Sequence, residues 1–179
     1  MKYFCCITAL ILLFVSCQPK ANISTIENPM SSFTPSASDS MRGAKSIVEL
    51  SGYFFLSLKG DLTFEQLSRF IPDSGNIADI YKLTQTQQGD ANLRANADTV
   101  LHQLQRAWIK TRSEASELKS NWTDATFTSL QIEEIENQKL PSKKIMLECK
   151  AGKTTLRASA KCMMIGDRWF IGEDIKFGV

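Results

Sequence analysis

Two short turns in the last third of the sequence constrain the fold more than any other feature. Gly152-Lys153 and Gly166-Asp167 each separate stretches in which apolar and polar residues alternate. Two-residue turns that contain glycine are typical of β-hairpins, and alternation is typical of a strand with one buried face. The sequence therefore predicts three consecutive antiparallel strands, over Lys143–Lys150, Thr154–Ile165 and Arg168–Phe177.

The turns also predict which residues face each other, because side chains alternate between the two faces of a strand. Nearly all side chains that this pairing brings to one face are apolar, and a slip by one residue would scatter them over both faces. The predicted pairs are Met164–Trp169, Cys162–Ile171, Ala160–Glu173, Ala158–Ile175, Leu156–Phe177, Cys149–Leu156, Leu147–Ala158 and Ile145–Ala160.

The residues before these hairpins predict a further strand and a layer of helices. Thr126–Glu136 alternates and completes a four-stranded antiparallel meander. Over residues 90–119, apolar residues recur every three or four positions, which predicts a long amphipathic helix. We expect a single α+β domain over residues 44–179, in which N-terminal helices, including this long one, pack on the C-terminal meander. The apolar stripe consists of Leu93, Ala97, Val100, Leu104, Trp108, Thr111, Ala115 and Leu118.

The segment Ala44–Leu58 is a shorter helical candidate that also has a competing interpretation. Its apolar residues have helical spacing, but Gly52 weakens a helix. The run Tyr53–Leu58 fits a strand as well, so the sequence leaves both possibilities open.

The N-terminus differs in kind from the rest of the chain. Lys2 supplies a positive charge, and Tyr3–Val15 is mostly apolar. A helix needs about 20 apolar residues to span a bilayer, so this shorter run predicts a cleaved secretory signal over residues 1–16. Residues 17–43 are rich in Ser, Thr, Asn and Pro and predict a flexible tether.

The end of the predicted signal, Phe14-Val15-Ser16-Cys17, resembles the lipobox of bacterial lipoproteins. The resemblance implies that Cys17 is acylated and becomes the first residue of the mature chain. Gln18 follows it, which in that family favours an outer-membrane anchor facing the periplasm. Phe14 departs from the leucine usual at its position, and an ordinary signal peptide with an incidental cysteine is the alternative.

Charge and cysteine content narrow the possible partners. The chain has 21 Lys and Arg against 19 Asp and Glu, which argues against nucleic acid as a partner. Beyond the tether only Cys149 and Cys162 remain. The predicted register places them three rows apart, roughly 20 Å, which is too far for a disulfide. We therefore predict two free, buried thiols.

Glu173 is the candidate site residue, because the predicted register places its carboxylate on the apolar face. Beside a small residue it would line a pocket, with its pKa raised by desolvation. The alternative is a bulge at Gly172 that turns Glu173 outward. The predicted pocket lining is Ile145, Ala158, Ala160, Trp169, Ile171 and Glu173.

The other polar clusters do not predict a catalytic or metal-binding site. Asp98, His102 and Arg106 are spaced by four along the long helix, opposite its apolar stripe, and read as a solvated charge ladder. With one histidine and no close Cys/His group, we expect neither a transition-metal site nor a cofactor.

The order of helices followed by a meander ending in "GDRWFIGEDI" (Gly166–Ile175) resembles the NTF2-like and cystatin-like folds of small bacterial lipoproteins. That fold includes both enzymes and binding modules. We expect a non-catalytic binding or interaction lipoprotein of the cell envelope, whose partners are the membrane through its anchor and an envelope protein or small ligand. The alternative is an NTF2-like small-molecule-binding protein or enzyme with its pocket at Glu173.

Overall fold

The computed structural model describes residues 22–33, 42–84 and 90–178. The predicted signal and Cys17 lie outside the described residues. One short strand comes first, the helices follow, and four further strands end the chain. Helices and strands are thus separate in sequence, which confirms the α+β class. The elements are β1 (Ile23–Glu27), α1 (Ile47–Lys59), α2 (Phe64–Leu67), α3 (Ser74–Leu83), α4 (Asp90–Glu117), β2 (Thr126–Glu134), β3 (Ser142–Ala151), β4 (Thr154–Ile165) and β5 (Arg168–Phe177).

The two glycine turns set the register of the meander as predicted. Gly152 and Gly166 have φ angles of 61° and 63°, the left-handed conformation that such hairpin turns require. The described sheet has the strand order β1-β2-β3-β4-β5, with neighbours antiparallel. Five predicted pairs are confirmed: Cys149–Leu156, Leu147–Ala158, Ile145–Ala160, Met164–Trp169 and Cys162–Ile171.

The far end of the β4–β5 hairpin departs from the predicted register. Glu173 pairs with Lys161, and Phe177 pairs with Ala158. The predicted pairs Ala160–Glu173, Ala158–Ile175 and Leu156–Phe177 are therefore wrong. β5 has two register shifts, one at Gly172, as the alternative for Glu173 predicted, and one between Glu173 and Lys176, where Asp174 adopts a left-handed φ of 58°. Such bulges insert unpaired residues and turn the chain about its axis. As a result Glu173 leaves the apolar face, while Ile175 is buried.

The prediction of four strands is also wrong, because part of the expected tether forms a fifth strand. Ile23–Glu27 pairs along β2, from Ile23 opposite Glu133 to Glu27 opposite Ser129. The side chain of Ile26 packs against the core, which gives the strand one apolar anchor. Residues 22–33 of the expected tether therefore belong to the folded domain.

The segment after β1 runs through a 3-10 turn to Phe33, which lies on α1. A Cβ atom built at Gly52 would be 2.6 Å from the Phe33 ring, so only glycine permits this approach. The Phe33 ring also meets Tyr53 edge-on, with centroids 5.1 Å apart. Gly52 therefore marks a packing site inside a helix, and the strand interpretation of Tyr53–Leu58 is wrong.

The core lies between the helices and one face of the sheet. Trp108 of α4 donates an indole N–H to the Ser57 hydroxyl of α1 at 3.2 Å, which joins the two helices inside the core. Leu118, expected on the apolar stripe, follows the last residue of α4 and is 49% exposed. The described side chains of α4 that are buried are Ala97, Leu104, Trp108, Thr111 and Ala115.

Candidate functional site

The structure places Glu173 in solvent rather than in a pocket. Its side chain is 66% exposed, and one carboxylate oxygen lies 3.4 Å from the Lys161 ammonium. Lys161 also lies 2.8 Å from Asp174. This hydrogen bond and the charge of Glu173 raise the pKa of Lys161, while the bond to Lys161 lowers the pKa of Asp174. Glu173 is thus one member of a surface charge cluster on the outer face.

The other side chains predicted to line the pocket are packed in the core instead. None of the pockets found among the described residues is lined by them. Ile145, Ala158, Ala160 and Ile171 are fully buried, and Trp169 is 9% exposed.

Cys149 and Cys162 are both free and buried, as predicted. Burial, with a smaller contribution from the charge of Glu148, raises the pKa of the Cys149 thiol to about 12. Burial also raises the pKa of Cys162. Because the thiolate is the reactive form, both act as small apolar residues rather than nucleophiles.

Asp98, His102 and Arg106 do not form an acid–base group. All three are exposed on α4. His102 Nδ1 lies 2.7 Å from the backbone carbonyl oxygen of Asp98, so the imidazole contacts the helix backbone rather than the Asp98 carboxylate. Their exposure confirms the prediction that they face solvent.

A cleft of about 300 Å³ lies between the start of α3 and α4. Arg42 lies in it, but its guanidinium donates to the carbonyl oxygens of Ser68 and Ile71 at 2.7 and 2.8 Å. It also lies 3.1 Å from Asp73. Arg42 thus holds the α2–α3 connection, and the charges of Arg94 and Asp98 on the opposite wall balance each other.

Within residues 22–33, 42–84 and 90–178, no three His, Cys, Asp or Glu side chains converge in a way that could hold a metal ion. None of the helices in these ranges has both the length and the apolar character needed to cross a membrane.

The open edge of the sheet is the most distinctive surface of the described residues. Asn28 donates its backbone N–H to Thr128, and Asn22 accepts a hydrogen bond from Glu134. Because backbone groups alternate in direction along a strand, Asn22, Ser24, Ile26 and Asn28 point theirs toward β2. The N–H and C=O groups of Ile23, Thr25 and Glu27 therefore point away from the sheet.

No described strand pairs with this side of β1, which leaves three N–H and three C=O groups open. The side chains that flank them are exposed, including Ile23 at 56%. Edge strands are usually blocked by lysine, proline or a bulge, and the sequence Ile-Ser-Thr-Ile-Glu of β1 has none of these. Such an edge is a template for another strand.

At the opposite edge of the sheet, the outer strand has a backbone partner at one position. Ala44 forms an antiparallel bridge to Trp169 of β5, with N–H···O distances of 2.9 and 2.8 Å in the two directions. The chain thus covers β5 at this point with its own backbone. The described residues show no such backbone cover on the outer side of β1.

The sequence pattern alone does not predict this edge strand. Ile23 and Ile26 are three residues apart, so they lie on opposite faces of the strand and produce no alternation. Comparisons with protein-family models, with curated proteins and with solved structures found no match to this chain.

Proposed function

We propose that this chain is a lipid-anchored protein of the bacterial cell envelope that acts by non-catalytic binding of another polypeptide. The open edge of β1 carries the binding part of this proposal. Extended segments add to such edges through main-chain hydrogen bonds, and the flanking side chains supply specificity.

The sequence Phe14-Val15-Ser16-Cys17 supports the anchoring part of the proposal. In this account Cys17 carries the lipid in the outer membrane, facing the periplasm. An acyl anchor of more than one chain binds a bilayer stably, because each buried methylene contributes about 0.8 kcal/mol.

The position of β1 links the two parts. Only residues 18–22 separate Cys17 from the first residue of β1. A chain spans at most about 3.5 Å per residue, and six such steps lead from Cys17 to Ile23, so this link reaches no more than roughly 21 Å. The open edge would then stay within that reach of the membrane surface, and its partner would be an envelope polypeptide.

We further propose that the domain has an NTF2-like or cystatin-like fold. In it, α4 is an amphipathic helix that packs on the meander, with β1 added at one edge. A pocket at Glu173 is no part of this account, because that carboxylate is exposed.

The anchoring part is tested by Cys17→Ser in the full chain. We expect the unchanged protein to sediment with membranes and to run as a diacylglyceryl-modified species in mass spectra. Cys17→Ser should lose the modification and leave the membrane fraction. An unchanged distribution in the variant would refute the lipid anchor without affecting the binding part.

The binding part is tested by a photo-crosslinking amino acid placed at Ile23 in intact cells. The matched control is Thr155, an exposed outer-face residue of β4. We expect a covalent adduct with a second polypeptide from position 23 and none from position 155. Equal labelling from both positions, or none from position 23, would refute a binding role for the edge.

A further inference from the structure

We propose that the polypeptide bound at the open edge is a second copy of this chain, paired antiparallel with it about a two-fold axis through Thr25. This inference names the partner of the edge described above and so rests on the binding part of the proposed function. It does not depend on lipid attachment.

The backbone of β1 is self-complementary in this arrangement. With the axis at Thr25, Ile23 faces the partner's Glu27, and Thr25 faces the partner's Thr25. Each facing pair exchanges two N–H···O bonds, as the hydrogen-bonded pairs of an antiparallel ladder do. The three pairs form six bonds, which satisfy every outward N–H and C=O group of Ile23, Thr25 and Glu27 on both strands.

Other registers satisfy fewer groups. If the two strands slide from this register, the outward N–H and C=O groups face each other again only after every second residue. Each such slide of two residues loses one facing pair. An axis at Glu27 would also place two carboxylates directly opposite each other, which is unfavourable. The register with its axis at Thr25 therefore satisfies the most outward backbone groups.

The side chains fit the same register. Glu27 is the only charged residue of β1, and it faces the apolar Ile23 of the partner rather than another charge. Ile23, which is 56% exposed, thereby gains cover from the methylene groups of the partner's Glu27. The central Thr–Thr pair is one of the cross-strand pairs that stabilise sheets.

The longest helix lies away from the edge that would pair. α4 packs on β5, at the opposite edge of the sheet from β1. Two copies joined at β1 would form a continuous ten-stranded sheet with both helix layers on the same side, because the two-fold axis is perpendicular to the sheet.

Disulfide cross-linking of the full chain tests the axis. In Thr25→Cys, the two thiols of a dimer would lie on facing residues about 5.5 Å apart at Cα, a separation that a disulfide spans. Ser24→Cys is the matched control, because Ser24 is also exposed but faces the partner's Ile26. Its Cα would lie roughly 8 Å from its two-fold copy, beyond disulfide reach.

Under mild oxidation we expect a covalent dimer from Thr25→Cys, and no more from Ser24→Cys than from the unchanged chain. Dimers in equal yield from both variants, or from neither, would overturn the two-fold register. The unchanged chain controls for its own cysteines.

A proline substitution at Thr25 tests whether dimer pairing can be lost without loss of folding. In Thr25→Pro the missing N–H is an outward one, so pairing with β2 is retained while two bonds across the axis are lost. We expect the dimer dissociation constant to rise about thirtyfold, with the circular dichroism and melting of the monomer preserved. A folded Thr25→Pro variant with undiminished dimerisation would overturn the proposal.

The photo-crosslinker at Ile23 distinguishes the inference from the function on which it rests. An adduct of twice the chain mass supports the second copy. An adduct with a different protein overturns the homodimer but leaves the binding role intact. The absence of any adduct refutes both.

Discussion

Gly52 shows how one residue couples α1 to the N-terminal segment. The Phe33 ring occupies the space where a Cβ would lie, 2.6 Å away. In an ordinary helix interior, Gly→Ala stabilises by about 1 kcal/mol. Here the added methyl would displace Phe33, so the packing cost opposes that gain.

We therefore predict that Phe33 determines whether Gly52→Ala stabilises or destabilises the fold. In the unchanged chain it should lower the free energy of unfolding by about 1–2 kcal/mol. In a Phe33→Ala background it should raise that free energy by up to about 1 kcal/mol. Urea denaturation of the unchanged chain, the two single variants and the double variant measures both values, and an equal effect in the two backgrounds would show that the contact is absent.

The buried cysteines lead to a second prediction at this scale. With a pKa of about 12, Cys149 is ionised in roughly one molecule in ten thousand at pH 8. We expect Cys149 and Cys162 to resist alkylation in the folded protein and to react fully in denaturant, as read by peptide mass spectrometry. Rapid labelling of the folded protein, or a disulfide-linked peptide pair, would contradict the packing.

At the scale of elements, the bulges in β5 determine which residues face the core. Ile171 and Glu173 are two residues apart, which would place them on one face of a regular strand. The register shifts separate them, leaving Ile171 buried and Glu173 exposed.

We predict correspondingly different costs for the two positions. Glu173→Gln should change the free energy of unfolding by less than about 0.5 kcal/mol, because exposed ion pairs contribute little. Ile171→Ala should cost about 2–5 kcal/mol. A large effect of Glu173→Gln in thermal or urea unfolding would place the carboxylate back in the core.

The sequence predicted the parts of the fold that local chemistry determines. Gly152 and Gly166 specify tight turns, and alternation then fixes the pairs nearest those turns. The bulge at Gly172, the alternative interpretation for Glu173, is confirmed. The second register shift was not predicted, because the left-handed conformation at Asp174 leaves no glycine as a marker. β1 was also missed, because its strand character comes from pairing with β2 rather than from its own pattern.

The candidate site was predicted in the wrong place for the same reason. Glu173 was selected by extending the hairpin register beyond the point where it holds. The open edge depends on which backbone groups of β1 find partners, and that depends on long-range pairing. Side-chain patterns in a single sequence do not report it.

At the scale of the whole molecule, part of the expected tether, Ile23–Glu27, forms an edge strand of the sheet. If Cys17 carries lipid, the five residues before β1 set the distance of the sheet from the membrane. Two anchored copies would also meet at a raised effective concentration, which favours pairing without additional contacts.

Backbone amide exchange of the full chain tests most directly the claim that β1 is a paired strand with an open outer edge. We expect the N–H groups of Ser24 and Ile26 to be protected at every protein concentration, because they bond to β2. Those of Ile23, Thr25 and Glu27 should exchange quickly in the monomer and become protected as the dimer forms. Rapid exchange of all five amides at every concentration would show that β1 does not join the sheet, and would contradict the account.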